Sequence, residues 1–277
     1  MNSSLALSLA TFIYGLASVF YIGSFAFKKQ ILAKPGFIVL LIGVLSNTAG
    51  IILRWIESHQ MGYGYAPLSN MYESLVFFSW AIAVLYIFVE LKYKENIIGM
   101  FATPLIFLSI AYASLSPDIS SKISPLIPAL KSNWLIAHVV TCFLGYAGFA
   151  LAFGFSIMYF VKPKNPDTTS KFAKLPSLDL IDELTYQMVV FGFLFLTIGI
   201  ITGAVWANSA WGTYWSWDPK ETWSLITWFV YAVFLHLRMM RGWHGRNLAW
   251  VSIIGFLAVM FTYFGVNFLL SGLHSYG

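Results

Sequence analysis

The chain has 277 residues, of which 59% are hydrophobic, 18% aromatic and only 10% charged, with a formal charge of +5. A soluble domain carries about 25% charged residues, so this composition cannot clothe a water-facing surface, and it excludes intrinsic disorder and nucleic-acid binding. The one cysteine, Cys142, excludes an internal disulfide and a cysteine-rich metal site. What remains is a polytopic membrane protein with the lipid bilayer as its solvent.

A spanning helix needs about 20 apolar residues. Eight stretches qualify in chain order: Leu5–Phe27, Gly36–Ile56, Met71–Leu91, Ile97–Leu115, Trp134–Val161, Thr185–Ala207, Thr222–Met239 and Leu248–Leu270. Barrel strands would be about 10 residues long and strictly alternating. The predicted fold is therefore all-α, with about eight transmembrane helices in a single integral-membrane domain over residues 1–277. The first stretch has no basic region before it and ends in Lys28 and Lys29, so it reads as a span rather than a cleaved signal peptide.

Lysine and arginine in the connecting loops set the orientation. Lys28, Lys29, Lys34, Lys92, Lys94, Lys162, Lys164, Lys171, Lys174, Arg238, Arg241 and Arg246 fall on one side. Arg54, Lys122, Lys131 and Lys220 fall on the other. The first side is expected to be cytoplasmic, with both termini outside. The connection from Lys162 to Glu183 reads as a loop with a short amphipathic entry into the next span. The outer segments are Glu57–Asn70, Ser116–Asn133, Trp206–Glu221 and the tail Ser271–Gly277.

Five histidines are candidates for chemistry, because histidine is the usual side-chain ligand of haem iron and a common metal ligand. His138 lies at the outer start of the fifth span, and His274 follows the eighth. His236 lies about 20 Å deeper than Trp223 along the seventh span. An ionisable residue there is a functional candidate by default, and a helix-to-helix hydrogen bond is the plainer reading. For His138 and His274 the plainer reading is an interfacial polar residue. His244, in the basic turn RGWHGR, suits a lipid headgroup, and His59 in an outer loop is unassigned.

Residues 206–228 hold six of the eleven tryptophans: Trp206, Trp211, Trp215, Trp217, Trp223 and Trp228. An interfacial belt would spread such residues over every span. Concentrated with Tyr214 in one loop and its flanks, they make a flat, π-rich surface with a few N–H donors, suited to a porphyrin or quinone. Within it, Asp218, Pro219 and Glu221 read as N-cap, N1 and N3 of the next helix. Capping does not need Lys220, which can pair with a carboxylate such as a haem propionate. Asn70 and Glu73 read as another helix start, Arg54 and Glu57 as an ion pair, and Gly199 with Gly203 as a GxxxG packing motif.

The run WGTYWSWDPKETWSLITW resembles the tryptophan-rich WWD signature of membrane proteins that handle haem in cytochrome c maturation. PLSNMYESLVFFSW, WLIAHVVTCFLGYAGFA, LTIGIITGAVWA, FLHLRMM and NFLLSGLHSYG extend the resemblance over most of the chain, in the order of the CcsA (ResC) family of System II. The resemblance implies a haem-binding and haem-transporting subunit of the cytochrome c synthase (a haem lyase). It implies haem b on the outer face, with His138 and His274 as axial ligands to the iron and His236 as an intramembrane ligand. Trp211, Tyr214, Trp215, Trp217, Asp218, Lys220, Trp223 and Trp228 would form the haem platform. It implies a CcsB/ResB-type membrane partner, apocytochrome c as the acceptor and thiol-reducing proteins acting indirectly. No residue of the chain is needed as a nucleophile, since the apocytochrome Cys-x-x-Cys-His motif supplies the thiols.

Two other readings make different demands. A CcmC-type haem-delivery protein would bind haem without synthase activity, and such proteins have about six spans. An ion or proton transporter would leave the indole cluster unexplained. A bacterial cytoplasmic membrane is favoured over a thylakoid membrane, with the tryptophan loop on the outer side.

Overall fold

The computed structural model describes residues 2–163 and 170–270. Asn2 starts the first helix, its side-chain oxygen accepting from the Leu5 N–H at 3.0 Å. The helices are α1 (Ser3–Ala26), α2 (Ala33–Gln60), α3 (Met71–Tyr93), α4 (Gly99–Leu115), α5 (Asn133–Val161), α6 (Leu178–Trp211), α7 (Pro219–Arg241) and α8 (Arg246–Met260). α8 continues through a π-helical turn, Phe261–Gly265, into a last helical turn, α9 (Val266–Leu269). Among the described residues, eight helical stretches are long and apolar enough to cross a membrane, counting α8 to α9 as one. Among the described residues there is no strand. The predicted fold class is the observed one.

Helix ends differ from the sequence reading where polar partners extend them. α6 begins at Leu178 rather than at Thr185, because Ser177 caps it, accepting from the Leu180 N–H at 3.2 Å. The acidic residues of its first turns are tolerated because Arg238 donates to Asp182 and to Glu183. The expected amphipathic entry is thus part of the span. α2 likewise runs on to Gln60 and takes His59 out of the loop into its last turn.

The described residues fall into two compact units, one built from α1 to α4 and the other from α5 to α8 with the closing turns. In the first unit, fully buried Asn47 donates to the Val76 carbonyl at 3.3 Å and to Ser79 Oγ at 3.1 Å. At one end Arg54 forms a buried ion pair with Glu73 at 2.7 Å. Glu73 also accepts from the Ser69 N–H and hydroxyl, while Asn70 caps α3 through the Glu73 N–H. The expected Arg54–Glu57 pair is not formed. Glu57 instead accepts from the N–H and hydroxyl of Ser3, where the first turn of α1 offers unsatisfied donors to an anion.

In the second unit the backbones of α5 and α6 meet at glycines. A Cβ on Gly145 would stand 2.9 Å from the Leu196 nitrogen, and one on Gly148 would stand 2.8 Å from the Met188 carbonyl oxygen. Small residues allow this close approach between apolar helices. On the other side of α5, Phe149 stacks on Tyr231 of α7 with centroids 3.5 Å apart. The start of α5, the end of α6, the start of α7 and the π turn after α8 meet around one cleft.

Candidate functional site

His138 sits in the second turn of α5 and faces α6. Its Nδ1 lies 2.7 Å from the Gly199 carbonyl oxygen. A carbonyl only accepts, so Nδ1 is the donor, and in the neutral imidazole the lone pair is then on Nε2. This is the arrangement found in metal-ligating histidines, whose second nitrogen is held by a carbonyl or carboxylate. The ring also stacks on Trp206, with centroids 6.0 Å apart and planes 17° apart. The GxxxG motif has a specific job here. A Cβ on Gly203 would lie 2.5 Å from His138 Nδ1, and one on Gly199 would lie 2.6 Å from Cys142 Sγ. The two glycines make room for an imidazole and a thiol, and Cys142 Sγ stands 3.6 Å from His138 Nδ1.

Trp206 is buried at the end of α6, where its indole N–H donates to the Ala129 carbonyl at 2.8 Å. Trp211 packs edge-on against it at 4.8 Å. The loop to α7 is built around the Asp218–Glu221 capping box, as its sequence predicts. Asp218 accepts from the Lys220 N–H, and Glu221 accepts from the N–H groups of Asp218 and Ser216. Trp217 adopts φ of 59°, a left-handed conformation rare for a bulky residue. Trp217 and Tyr214 are exposed, while Trp215 turns toward the cleft, edge-on to Trp217 at 5.6 Å.

The cleft encloses about 90 Å³, is partly open, and is lined by His138, Cys142, Trp206, Tyr214, Trp215 and Lys220 among others. That is below the volume of a closed drug-sized pocket, so a large planar ligand would occupy its open side as well. Lys220 reaches its wall and donates through Nζ to Asn267 Oδ1 at 2.7 Å. The wall thus combines a histidine with a fixed tautomer, indole surface and a cation, a donor set that fits a porphyrin acid. Among the described residues no group of three or more His, Cys, Asp or Glu converges as a metal site, so iron would need its equatorial nitrogens from the porphyrin.

The structure brings together only part of the expected set. Trp223 packs on Phe261 at 4.2 Å, and Trp228 packs on Phe193 while donating to Thr197 Oγ1 at 2.9 Å. Both do helix-packing work and do not line the cleft. His236 lies 16 residues beyond Lys220 on α7, about 24 Å along the axis. It is exposed, in one line with Phe229, Val233 and Met240. His244 lies beside Arg238 at 2.8 Å. His274 lies outside the described residues. Thr262, Tyr263 and Asn267 were not singled out from the sequence. An amide within an apolar run such as VNFLL is the sequence signal by which Asn267 could have been found.

A sequence model of the cytochrome c assembly protein family matches residues 68–274. The chain belongs to that family. The matched region contains every site residue considered above except His59, together with the whole tryptophan loop. Among similar proteins, the cytochrome c biogenesis protein CcsA of Guillardia theta is 41% identical over 302 residues, covering 99% of this chain and 93% of the relative. CcsA of Synechococcus sp. (strain CC9902) is 42% identical, with 88% of each chain covered. The fold is similar to that of the cytochrome c haem lyase CcmF, with a TM-score of 0.66 at 18% identity. The match covers 98% of this chain and 48% of CcmF, so the chain spans about half the length of that protein.

Proposed function

We propose that the chain is the haem-handling membrane subunit of a cytochrome c synthase, which presents haem at the His138 cleft for thioether attachment to apocytochrome c. Membership of the cytochrome c assembly family and its CcsA relatives support a role in cytochrome c biogenesis. The observation that carries the haem reading is the His138 imidazole, fixed through Nδ1 by Gly199 and stacked on Trp206 at the cleft wall. Nε2 would be the iron ligand, with His274 as the second axial ligand. Bis-histidine ligation would keep the iron low-spin and set its potential. The cargo is haem b, and the acceptor thiols come from the Cys-x-x-Cys-His motif of apocytochrome c, whose own reduction is left to other proteins.

The protein's part is to bind, orient and exclude water, while the porphyrin brings the reacting vinyl groups. The loop charges favour an outward-facing cleft and outward termini, in a bacterial cytoplasmic membrane. Residues 206–228 act as the haem-handling loop of one integral-membrane domain. His236, exposed on α7, would serve as an intramembrane ligand on the inner part of the haem route, completed by a CcsB-type partner.

The test is co-expression with a CcsB-type partner and a c-type apocytochrome in a host without its own maturation system. Covalent haem on the apocytochrome supports the proposal. Haem bound to the chain with no covalent product, both proteins being present, would favour delivery without synthase activity.

A further inference from the structure

Two buried side-chain N–H groups in the second unit have no acceptor among the described residues, and both belong to the neighbourhood of this cleft: Trp215 Nε1 and Asn267 Nδ2. A buried donor without an acceptor is costly and calls for a partner. Indole and carboxamide N–H groups only donate, so the partner must be an acceptor. Asn267 is oriented by its other end, since Lys220 Nζ donates to its Oδ1. A lysine cannot donate to an NH₂ group, which fixes the amide with Nδ2 as the leftover atom.

The π turn at Phe261–Gly265 sits immediately before Asn267. It places Thr262 and Tyr263 on the cleft wall, and Thr262 anchors it by donating to the Trp223 carbonyl at 3.2 Å. Such π turns recur at functional sites because they shift the register of the residues that follow. The acid on the wall, Glu221, accepts from the Ser216 and Asp218 N–H groups of the loop, and Asp218 accepts from the Lys220 N–H.

We infer that Trp215 Nε1, Asn267 Nδ2 and the Lys220 ammonium form an acid-group subsite of the cleft, which takes a carboxylate of the cargo. One cation and two one-way donors match a carboxylate, an anion with acceptor positions only. This inference rests on the haem reading and adds to it a basis for choosing the acid: the subsite favours a porphyrin with free propionates over one without. Asn267 is a ligand-binding residue in this account, beyond its support of Lys220.

The experiment is an absorbance titration of the purified full-length chain with iron protoporphyrin IX and, separately, with its dimethyl ester. The wild type is expected to bind the diacid more tightly. Asn267→Leu and Trp215→Phe, which remove the donors and keep apolar bulk, are each expected to weaken diacid binding about tenfold. The reading is the ratio of diacid to diester affinity, which each variant is expected to lower, and circular dichroism of the purified variants shows that they are folded. Should Asn267→Leu fail to fold, Asn267→Asp keeps an oxygen acceptor for Lys220 while placing an anion where the donor stood, and it is expected to lose the diacid preference. A wild type that binds both porphyrins equally, or variants that keep the preference, would overturn the subsite and leave the haem reading intact. A wild type that binds neither would overturn the haem reading and the subsite with it.

Discussion

His138 and Gly199 are joined by a 2.7 Å contact from the imidazole Nδ1 to the backbone carbonyl oxygen. It ties the second turn of α5 to the interior of α6 and fixes which nitrogen of the ring can act as a ligand. Gly203, one turn further along α6, leaves no room for a side chain beneath the same ring. The orientation of the His138 imidazole is therefore built into helix packing rather than into the tryptophan loop.

Gly203→Ala is expected to displace the His138 ring, since the added Cβ would lie 2.5 Å from Nδ1 and the ring is backed by Trp206. Helix content should be retained while haem recovered with the purified protein falls about tenfold, because ligand misplacement is costly. Circular dichroism together with haem absorbance reads both. Unchanged haem content in a folded Gly203→Ala protein would separate His138 from the haem site.

The indoles divide into two groups that behave differently. Trp215→Ala should lower haem retention, because that ring lines the cleft. Trp228→Phe should leave haem retention near the wild-type level and cost about 1 kcal/mol of stability through the lost bond to Thr197. Haem content measured beside the midpoint of thermal unfolding distinguishes them. Equal haem loss in both variants would count against the division.

Glu73→Gln leaves the Arg54 guanidinium buried without its counter-charge. Breaking a buried pair by removing one partner costs about 3–5 kcal/mol, and here the side chains are 4% and 0% exposed. The variant should accumulate poorly in membranes and unfold at lower temperature. A normal unfolding midpoint would mean that the pair contributes little.

Replacing His236 by Ala should leave the His138 cleft able to bind haem added to the purified protein, since the two lie far apart along α7. In cells, the same variant should carry less haem at the cleft if haem arrives along the inner route. Normal haem loading in cells would remove His236 from that route.

Much of this architecture is legible in the residues themselves. The apolar runs are long enough to locate eight spans, and Asp218-Pro219-Lys220-Glu221 announces the start of α7 by its capping chemistry. Helix ends held by tertiary partners are not legible locally. α6 starts before Thr185 because Ser177 caps it and because Arg238, more than 50 residues away, pairs with Asp182 in its early turns. Arg54 is paired with Glu73 rather than with nearby Glu57 because of how α2 is rotated against α3 and α1. In the candidate site, the indole density of residues 206–228 points to the loop that supplies Tyr214 and Trp215 to the cleft wall. Trp206, Trp215, Trp223 and Trp228 are alike in sequence, and only the facing helices assign two to the cleft wall and two to packing. The Gly199–Gly203 motif signals close packing by its spacing, but what packs there, His138 and Cys142, is set by the register of α5 on α6.

The central claim is that His138 holds haem iron at this cleft. The most direct measurement is the absorption spectrum of the detergent-purified chain, co-expressed with a CcsB-type protein, as isolated and after reduction. It is recorded beside His138→Ala and the His138→Ala/His274→Ala double variant. The account predicts a low-spin haem spectrum in the wild type that weakens or shifts in the single variant and is lost from the cleft in the double variant. A wild type without haem, or an unchanged spectrum in both variants, would contradict it.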